Sequence, residues 1–256
     1  CVQTRSAGGH CQVPRPLLSG RWRAIPVWQF FAAAAALCAG TGANPVIRGF
    51  GAHGFCPGGD ADQSAWGALA IARLVAALVR HGDYHQLADT PSAYQPCPLT
   101  AAGEAQAATG AAELQSLLAA HSLALCPEID SSTLLRAWQT AGIFAGKLSA
   151  TGGPADIASF DALAERCVGS VANLSAARIA QIVAADPRYE PLPGGWKSAS
   201  HFRLPFPGAE SLMEAGERVA LHIRERMDAL AAAPRTDTLK LFVGHGAAFR
   251  HAAHLL

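Results

Sequence analysis

From residue 74 onward the apolar positions fall into blocks whose period switches between strand and helix. LVAALV (74–79) is an unbroken apolar run of strand length, the pattern of a parallel strand buried on both faces. LTAAGEAQAATGAAELQSLLAAH follows as a long helix that Thr100 is placed to cap. ALCPEIDSS predicts a short strand running into a loop, and TLLRAWQTAGIFAGKL a helix. SAARIAQIVAAD predicts a short helix capped by Ser175. SLMEAGERVALHIRERMDALAAA opens with Ser211 and Glu214 in capping-box spacing, and Leu212, Ala215, Val219, Ile223, Met227 and Leu230 follow the helical period. LKLFVGH (239–245) is a second buried strand, and GAAFRHAAHLL starts another helix. Strands alternating with helices predict an α/β domain, a three-layer α/β/α sandwich around a mostly parallel sheet.

Residues 1–65 differ. They are rich in Gly, Pro and Cys, carry no sustained amphipathic period, and are expected to be a non-core N-terminal extension. Within the 15–45 stretch, RWRAIPVWQFFAAAAALCAGTGA sets arginines before an apolar run and small residues, which is similar to a secretory signal. The run is shorter than the roughly 20 residues of a membrane span, so no stable span is expected. Upstream sequence that does not belong to the folded protein is the other reading. The expected location is the cytoplasm, or outside it if that signal is real. No methionine precedes Met213, and the last residues stop in mid-helix, so the domain of residues 66–256 is expected to be C-terminally incomplete.

Composition narrows the function. Net charge is +1, which gives no reason to expect a nucleic-acid surface. Seven cysteines show no C-x-x-C and no zinc-site spacing, and are expected to be reduced thiols. Two predicted strands end alike, in Arg80-His81-Gly82 and in Gly244-His245-Gly246. Ligands of open α/β sheets bind beyond the carboxyl ends of the strands, so these residues are expected on the functional edge. SSTLLRAWQTA (131–141) also leaves a short strand, and puts Arg136 near a helix start.

With these stand further motifs: LVRHG (78–82), PLTAAGEAQA (98–107), LAERCVG (163–169), PGAES (207–211) and FVGHG (242–246). In this order they resemble the histidine phosphatase superfamily, also called phosphoglycerate-mutase-like, over about residues 72–256. The resemblance implies that His81 is a nucleophile forming a phosphohistidine. Arg80 and Arg136 would clamp the phosphate, His245 would donate to it as an imidazolium, and Glu165 would be the general acid. Arg166 would be an extra phosphate or substrate contact. Such a cationic pocket suits a dianion whose transfer depends on charge neutralisation and positioning, with neither metal nor cofactor. Glu190, in YEPLPGGWK, competes with Glu165 for the acid's role.

Mutases of this family have an asparagine six residues after the histidine, where Leu87 stands here. RHGDYHQ and PGGWKSAS are more similar to the phosphatase branches. A phosphomonoester hydrolase is therefore expected, acting on a phosphorylated small molecule or a phosphoprotein. A cofactor-dependent mutase and a phosphate-binding scaffold are the rivals. Asp83, His85, Lys197 and His201 are expected at the rim, and His222, His251 and His254 in structural or exposed places.

Overall fold

The structure, a computed structural model, describes residues 72–149, 156–232 and 236–256, and the backbone of 22–26. Among these residues β1 (Trp22–Pro26), β2 (Leu74–Arg80), β3 (Ala124–Leu125), β4 (Glu128–Ser132), β5 (Asp156–Phe160) and β6 (Thr238–Gly244) form one sheet. The order is β1-β2-β6-β4-β5, with β3 also on β6, and each of these pairings is parallel. Helices α1 (Ala101–Ala120) and α2 (Leu135–Leu148) cover one face, and α4 (Leu212–Ala231) and α5 (Gly246–Ala253) the other. The short helix α3 (Ala176–Ala185) packs in a smaller cluster with the Trp196–Ala209 loop. The three-layer α/β/α sandwich is thus formed.

Its layers follow from strand alternation. Val75, Ala77 and Val79 point to the α1/α2 side; Leu74, Ala76 and Leu78 point to the α4/α5 side. Both sets are buried, which is why the run shows no polar face. The caps form as spaced. Thr100 Oγ1 accepts from Gly103 N at 3.0 Å, Ser175 Oγ from Arg178 N at 3.2 Å, and Ser211 and Glu214 close a reciprocal capping box.

Three expectations change. ALCPEIDSS is two strands rather than one strand and a loop: Pro127 has no N–H, the ladder on β6 breaks there, and Asp130 and Ser131 resume it opposite Phe242 and Val243. β5, the edge strand DIASF, has no counterpart in the sequence reading; its partly exposed residues give no clean alternation. Trp22–Pro26, inside the stretch read as non-core, lie parallel to β2 from Leu74 to Leu78, so that reading does not hold for them. An edge strand needs only one neighbour's backbone, and five residues are too few to show a period. The rest of 1–65, with most of the signal-like stretch, lies outside the described residues.

The sheet also buries charge. Lys240, on β6, sets Nζ 2.5 Å from Asp130 Oδ1, while His222 and Arg226 of α4 reach Asp130 Oδ2 at 3.0 and 2.8 Å. Burial alone would raise the Asp130 carboxyl, but hydrogen bonds from His222, Lys240 and Arg226 outweigh it and hold the carboxyl below the usual range. His222 therefore has a structural partner.

The loop after β2 packs backbone to backbone on the start of α1. A Cβ on Gly103 would sit 1.9 Å from Asp83 O, and one on Gly82 would sit 2.3 Å from Gly103 O. Gly103→Ala should therefore cost about 1–3 kcal/mol or more, an overpacking that no side chain can relieve. Gly142 in α2 has nothing within 4 Å of a built Cβ, so Gly142→Ala should be neutral or stabilising. Thermal melts of the two variants check this. Equal melting temperatures would refute the close packing.

Candidate active site

β2 and β6 end in register, Arg80 opposite Gly244, so the residues that follow emerge side by side. His81 N donates to Gly244 O at 2.9 Å. The rings of His81 and His245 lie 5.0 Å apart, centre to centre. β4, next to β6, ends at Ser132 and leads into α2, whose first turn carries Arg136. Arg136 Nε donates to His81 Nε2 at 3.2 Å, and its Nη2 lies 3.3 Å from His245 Nδ1. Three of the expected residues thus form one buried cluster. Arg80 is exposed, and its side chain passes over Gly246, where a Cβ would lie 3.1 Å from Arg80 Cδ.

Donor and acceptor roles fix the tautomers. His81 Nδ1 lies 2.7 Å from Gly82 O, a carbonyl that can only accept, so Nδ1 carries the proton. His81 Nε2 then has a free lone pair, which faces Arg136. Arginine only donates, so His245 Nδ1 is the acceptor in its contact and Nε2–H donates to Ser132 Oγ at 2.9 Å. The imidazolium expected at His245 is that of a phosphate-bound site; the contact with Arg136 here is that of a neutral ring. Full burial first, then His81, Arg136 and Arg80, push its pKa well below the ordinary value.

Arg136 is held on all sides. Nη1 donates to Gln95 O at 2.9 Å and Nη2 to Ala93 O at 3.1 Å, and its Cζ sits 4.4 Å over the Tyr84 ring. Thr140, one turn along α2, accepts from Gly82 N at 3.2 Å and donates to Arg136 O at 2.8 Å. Ser132, Thr140 and the 93–95 carbonyls were not singled out from the sequence. Ser132 and Thr140 lie in the quoted SSTLLRAWQTA, and the i, i+4 spacing of Arg136 and Thr140 was a usable signal. The two carbonyls carry no side-chain signal.

Glu165 lies in the segment after β5, almost fully buried, with Oε1 accepting from Arg166 N at 2.9 Å and from Ala248 N of α5 at 3.3 Å. Burial raises its carboxyl pKa and outweighs those bonds and the charges of Arg136 and Arg166. A salt bridge missed in the sequence fixes this segment. Arg218 of α4 pairs both guanidinium arms with Glu210, at 2.9 and 2.8 Å, and donates to the carbonyls of Asp161, Ala162 and Ala164. Glu210 Oε2 also accepts from Cys167 N at 3.0 Å. A cavity of about 640 Å³ opens beside Glu165 and Arg166. Glu190 is exposed on the loop after α3 and does not line that cavity. Lys197 and His201 line it, as does His254, whereas Asp83 accepts a hydrogen bond from Thr100 and His85 is exposed. His251 bonds Ala247 O and Ser200 Oγ. Among the described residues no group of three His, Cys, Asp or Glu side chains could hold a metal ion, and no helix is long and apolar enough to cross a membrane.

Residues 76–256 match the family model of the histidine phosphatase superfamily, branch 1. The chain belongs to this superfamily. The solved structure "Mycobacterial hydrolase 1" shares its fold, with a TM-score of 0.50 at 22% identity over 70% of this chain and 78% of that one. A mycobacterial glucosyl-3-phosphoglycerate phosphatase is also similar, at 23% identity over 70% of this chain and 77% of that one, with a TM-score of 0.48. No curated protein sequence matches. As a member of the histidine phosphatase superfamily the chain is an enzyme acting on phosphate, of the phosphatase or mutase type.

In this histidine phosphatase site the electrostatics set a pH profile. Burial, then Arg136, lower the His81 pKa to about 3, with Arg80 adding to the effect and the bond to Gly82 opposing it. A neutral His81 ring is then present throughout the ordinary pH range. A raised Glu165 pKa keeps a proton available to higher pH. For an alkyl phosphate, kcat/KM corrected for the substrate's own ionisation should be flat on the acid side and fall as pH rises through the Glu165 pKa. Glu165→Gln should remove that fall. An acid limb near the ordinary histidine pKa would contradict the burial argument.

Proposed function

We propose that the protein is a metal-independent phosphomonoester hydrolase working through a phosphohistidine on His81. One observation carries the reading: the His81 Nδ1 proton is tied to Gly82 O, so the Nε2 lone pair points at the Arg136 and His245 cluster. A phosphoryl group arriving there takes over the Arg136 Nε–H now given to Nε2. Arg136 and Arg80 then neutralise its oxygens. The incoming dianion also favours protonation of His245, which lets Nδ1 donate.

In the first step the Nε2 lone pair attacks phosphorus and the ester P–O bond breaks. The Glu165 proton goes to the leaving oxygen. In the second step water attacks the phosphohistidine, Glu165 carboxylate takes its proton, and the P–N bond returns its pair to Nε2. Inorganic phosphate leaves, and the enzyme regains its starting protonation. The cationic groups do the electrostatic work, so a chelator should leave activity intact.

A panel of phosphomonoesters assayed for released inorganic phosphate, with and without EDTA, tests the reading. The expected result is stoichiometric release that EDTA does not affect, with vanadate as a competitive inhibitor. Loss with EDTA and recovery with a divalent ion would count against the metal-free mechanism. Positional isomerisation without phosphate release would instead identify a mutase. Vanadate binding without turnover would identify a scaffold.

A further inference from the structure

Glu165 stands between two stretches of backbone that are held by one ion pair. On one side Arg218 Nη1, from α4, donates to Ala164 O at 3.2 Å, and to Ala162 O and Asp161 O at 2.9 and 3.2 Å. On the other side Glu210 Oε2 accepts from Cys167 N at 3.0 Å, and Glu210 N donates to Cys167 O at 2.8 Å. Arg218 and Glu210 are themselves joined as a fork, Nε to Oε1 at 2.9 Å and Nη2 to Oε2 at 2.8 Å. The pair is partly exposed, and such a pair adds little to stability by itself. What it supplies is placement.

The segment is closed again further along. Gly169 turns left-handed (φ 73°), and a Cβ there would lie 2.5 Å from Pro207 O. Val168 and Ala209 form an antiparallel bridge. The carboxyl is oriented in turn. Both backbone donors that reach it, Arg166 N and Ala248 N, go to Oε1. An oxygen that accepts two N–H bonds is a poor place for a proton, so the neutral carboxyl carries its proton on Oε2. A general acid must bring that proton within hydrogen-bond reach of the leaving oxygen. A misplacement of about 1 Å can cost about 10²-fold in rate.

We propose that Arg218 and Glu210 are positioning residues for proton donation by Glu165, acting as one unit through the backbone on either side of it. The proposal rests on the phosphatase reading above, with Glu165 as the acid. Neither residue lines the cavity beside Glu165, so their route to the reaction is through that segment. The guanidinium of Arg218 makes five hydrogen bonds here. A lysine ammonium has three donors and no planar fork, so it keeps the charge and loses the placement.

The test compares kcat/KM for an alkyl phosphate with that for p-nitrophenyl phosphate, whose leaving group needs no proton. Arg218→Lys should lower the alkyl value by about tenfold to a hundredfold and the nitrophenyl value by less than about threefold. Glu210→Gln, which keeps the side-chain volume, should show the same dependence on the leaving group. Adding Arg218→Lys to Glu165→Gln should lower the alkyl value by less than about threefold further, because no acid remains to be placed. Equal losses on the two esters, or no loss on either, would make the pair structural support only and overturn the proposal. A full further loss in the double variant would do the same. If Glu165→Gln itself slows both esters alike while the parent turns them over, the acid lies elsewhere, and the proposal falls while the phosphohistidine reading stands. No turnover of either ester by the parent overturns the phosphatase reading, and this inference with it.

Discussion

Glu165→Gln should slow hydrolysis of an alkyl phosphate by roughly 10²–10⁴-fold, the usual size of general acid catalysis. An alkoxide is a poor leaving group and needs its proton as the P–O bond breaks. A nitrophenolate does not, so phosphoryl transfer from p-nitrophenyl phosphate to His81 should be slowed far less. The split follows from Glu165's place: nearly fully buried, with a carboxyl pKa raised by that burial, and in the wall of an open cavity. Single-turnover kinetics with both substrates measure it. Glu190→Gln is the control, since Glu190 is exposed and away from that cavity. If Glu190→Gln gives the leaving-group-dependent loss and Glu165→Gln does not, the acid lies in the Pro-rich loop instead.

Arg136→Lys should lower kcat/KM by about 10²–10³-fold even though it keeps the charge, comparable to removing one oxyanion donor. The fully buried guanidinium spans His81 Nε2, the region of His245 Nδ1, Gln95 O and Ala93 O at the same time. An ammonium is a point donor on a flexible stem and cannot meet four directions set by a planar fork. It would also leave a loop carbonyl unpaired in the interior, at a cost of about 1–3 kcal/mol. The variant should therefore melt earlier as well as bind vanadate more weakly. Kinetics within threefold of the parent would show that charge alone suffices at this position.

The elements that were legible in the sequence are those whose environment is uniform. LVAALV is buried on both faces, and its run of apolar residues says so directly. Ser211 and Glu214 announce a helix start because both partners of the capping box lie within four residues. β5 was silent because an edge strand with exposed positions lacks a strong alternation. The break at Pro127 was visible as a proline, but the return of the strand at Asp130 and Ser131 depends on β6, which is distant in sequence.

The site divides in the same way. His81, Arg136 and His245 were expected together, since strand ends in a parallel sheet converge on one edge, and the structure brings them within hydrogen-bond distance. What the residues alone did not give was the lowered pKa of His245, which comes from burial beside His81 and guanidinium groups, a property of packing. Arg218 was hidden for a related reason. Its role is to hold carbonyls of the 161–164 segment, and a backbone acceptor has no letter in the sequence.

The central claim is that His81 carries the phosphoryl group. The most direct measurement mixes Glu165→Gln protein with p-nitrophenyl phosphate, quenches at alkaline pH where phosphohistidine survives, and maps the modified residue by mass spectrometry. The account predicts one phosphoryl group on His81, accumulating because the water-activating carboxylate is gone, and no label at all in His81→Ala. A phosphoryl group on another residue, or full turnover by His81→Ala, would contradict it.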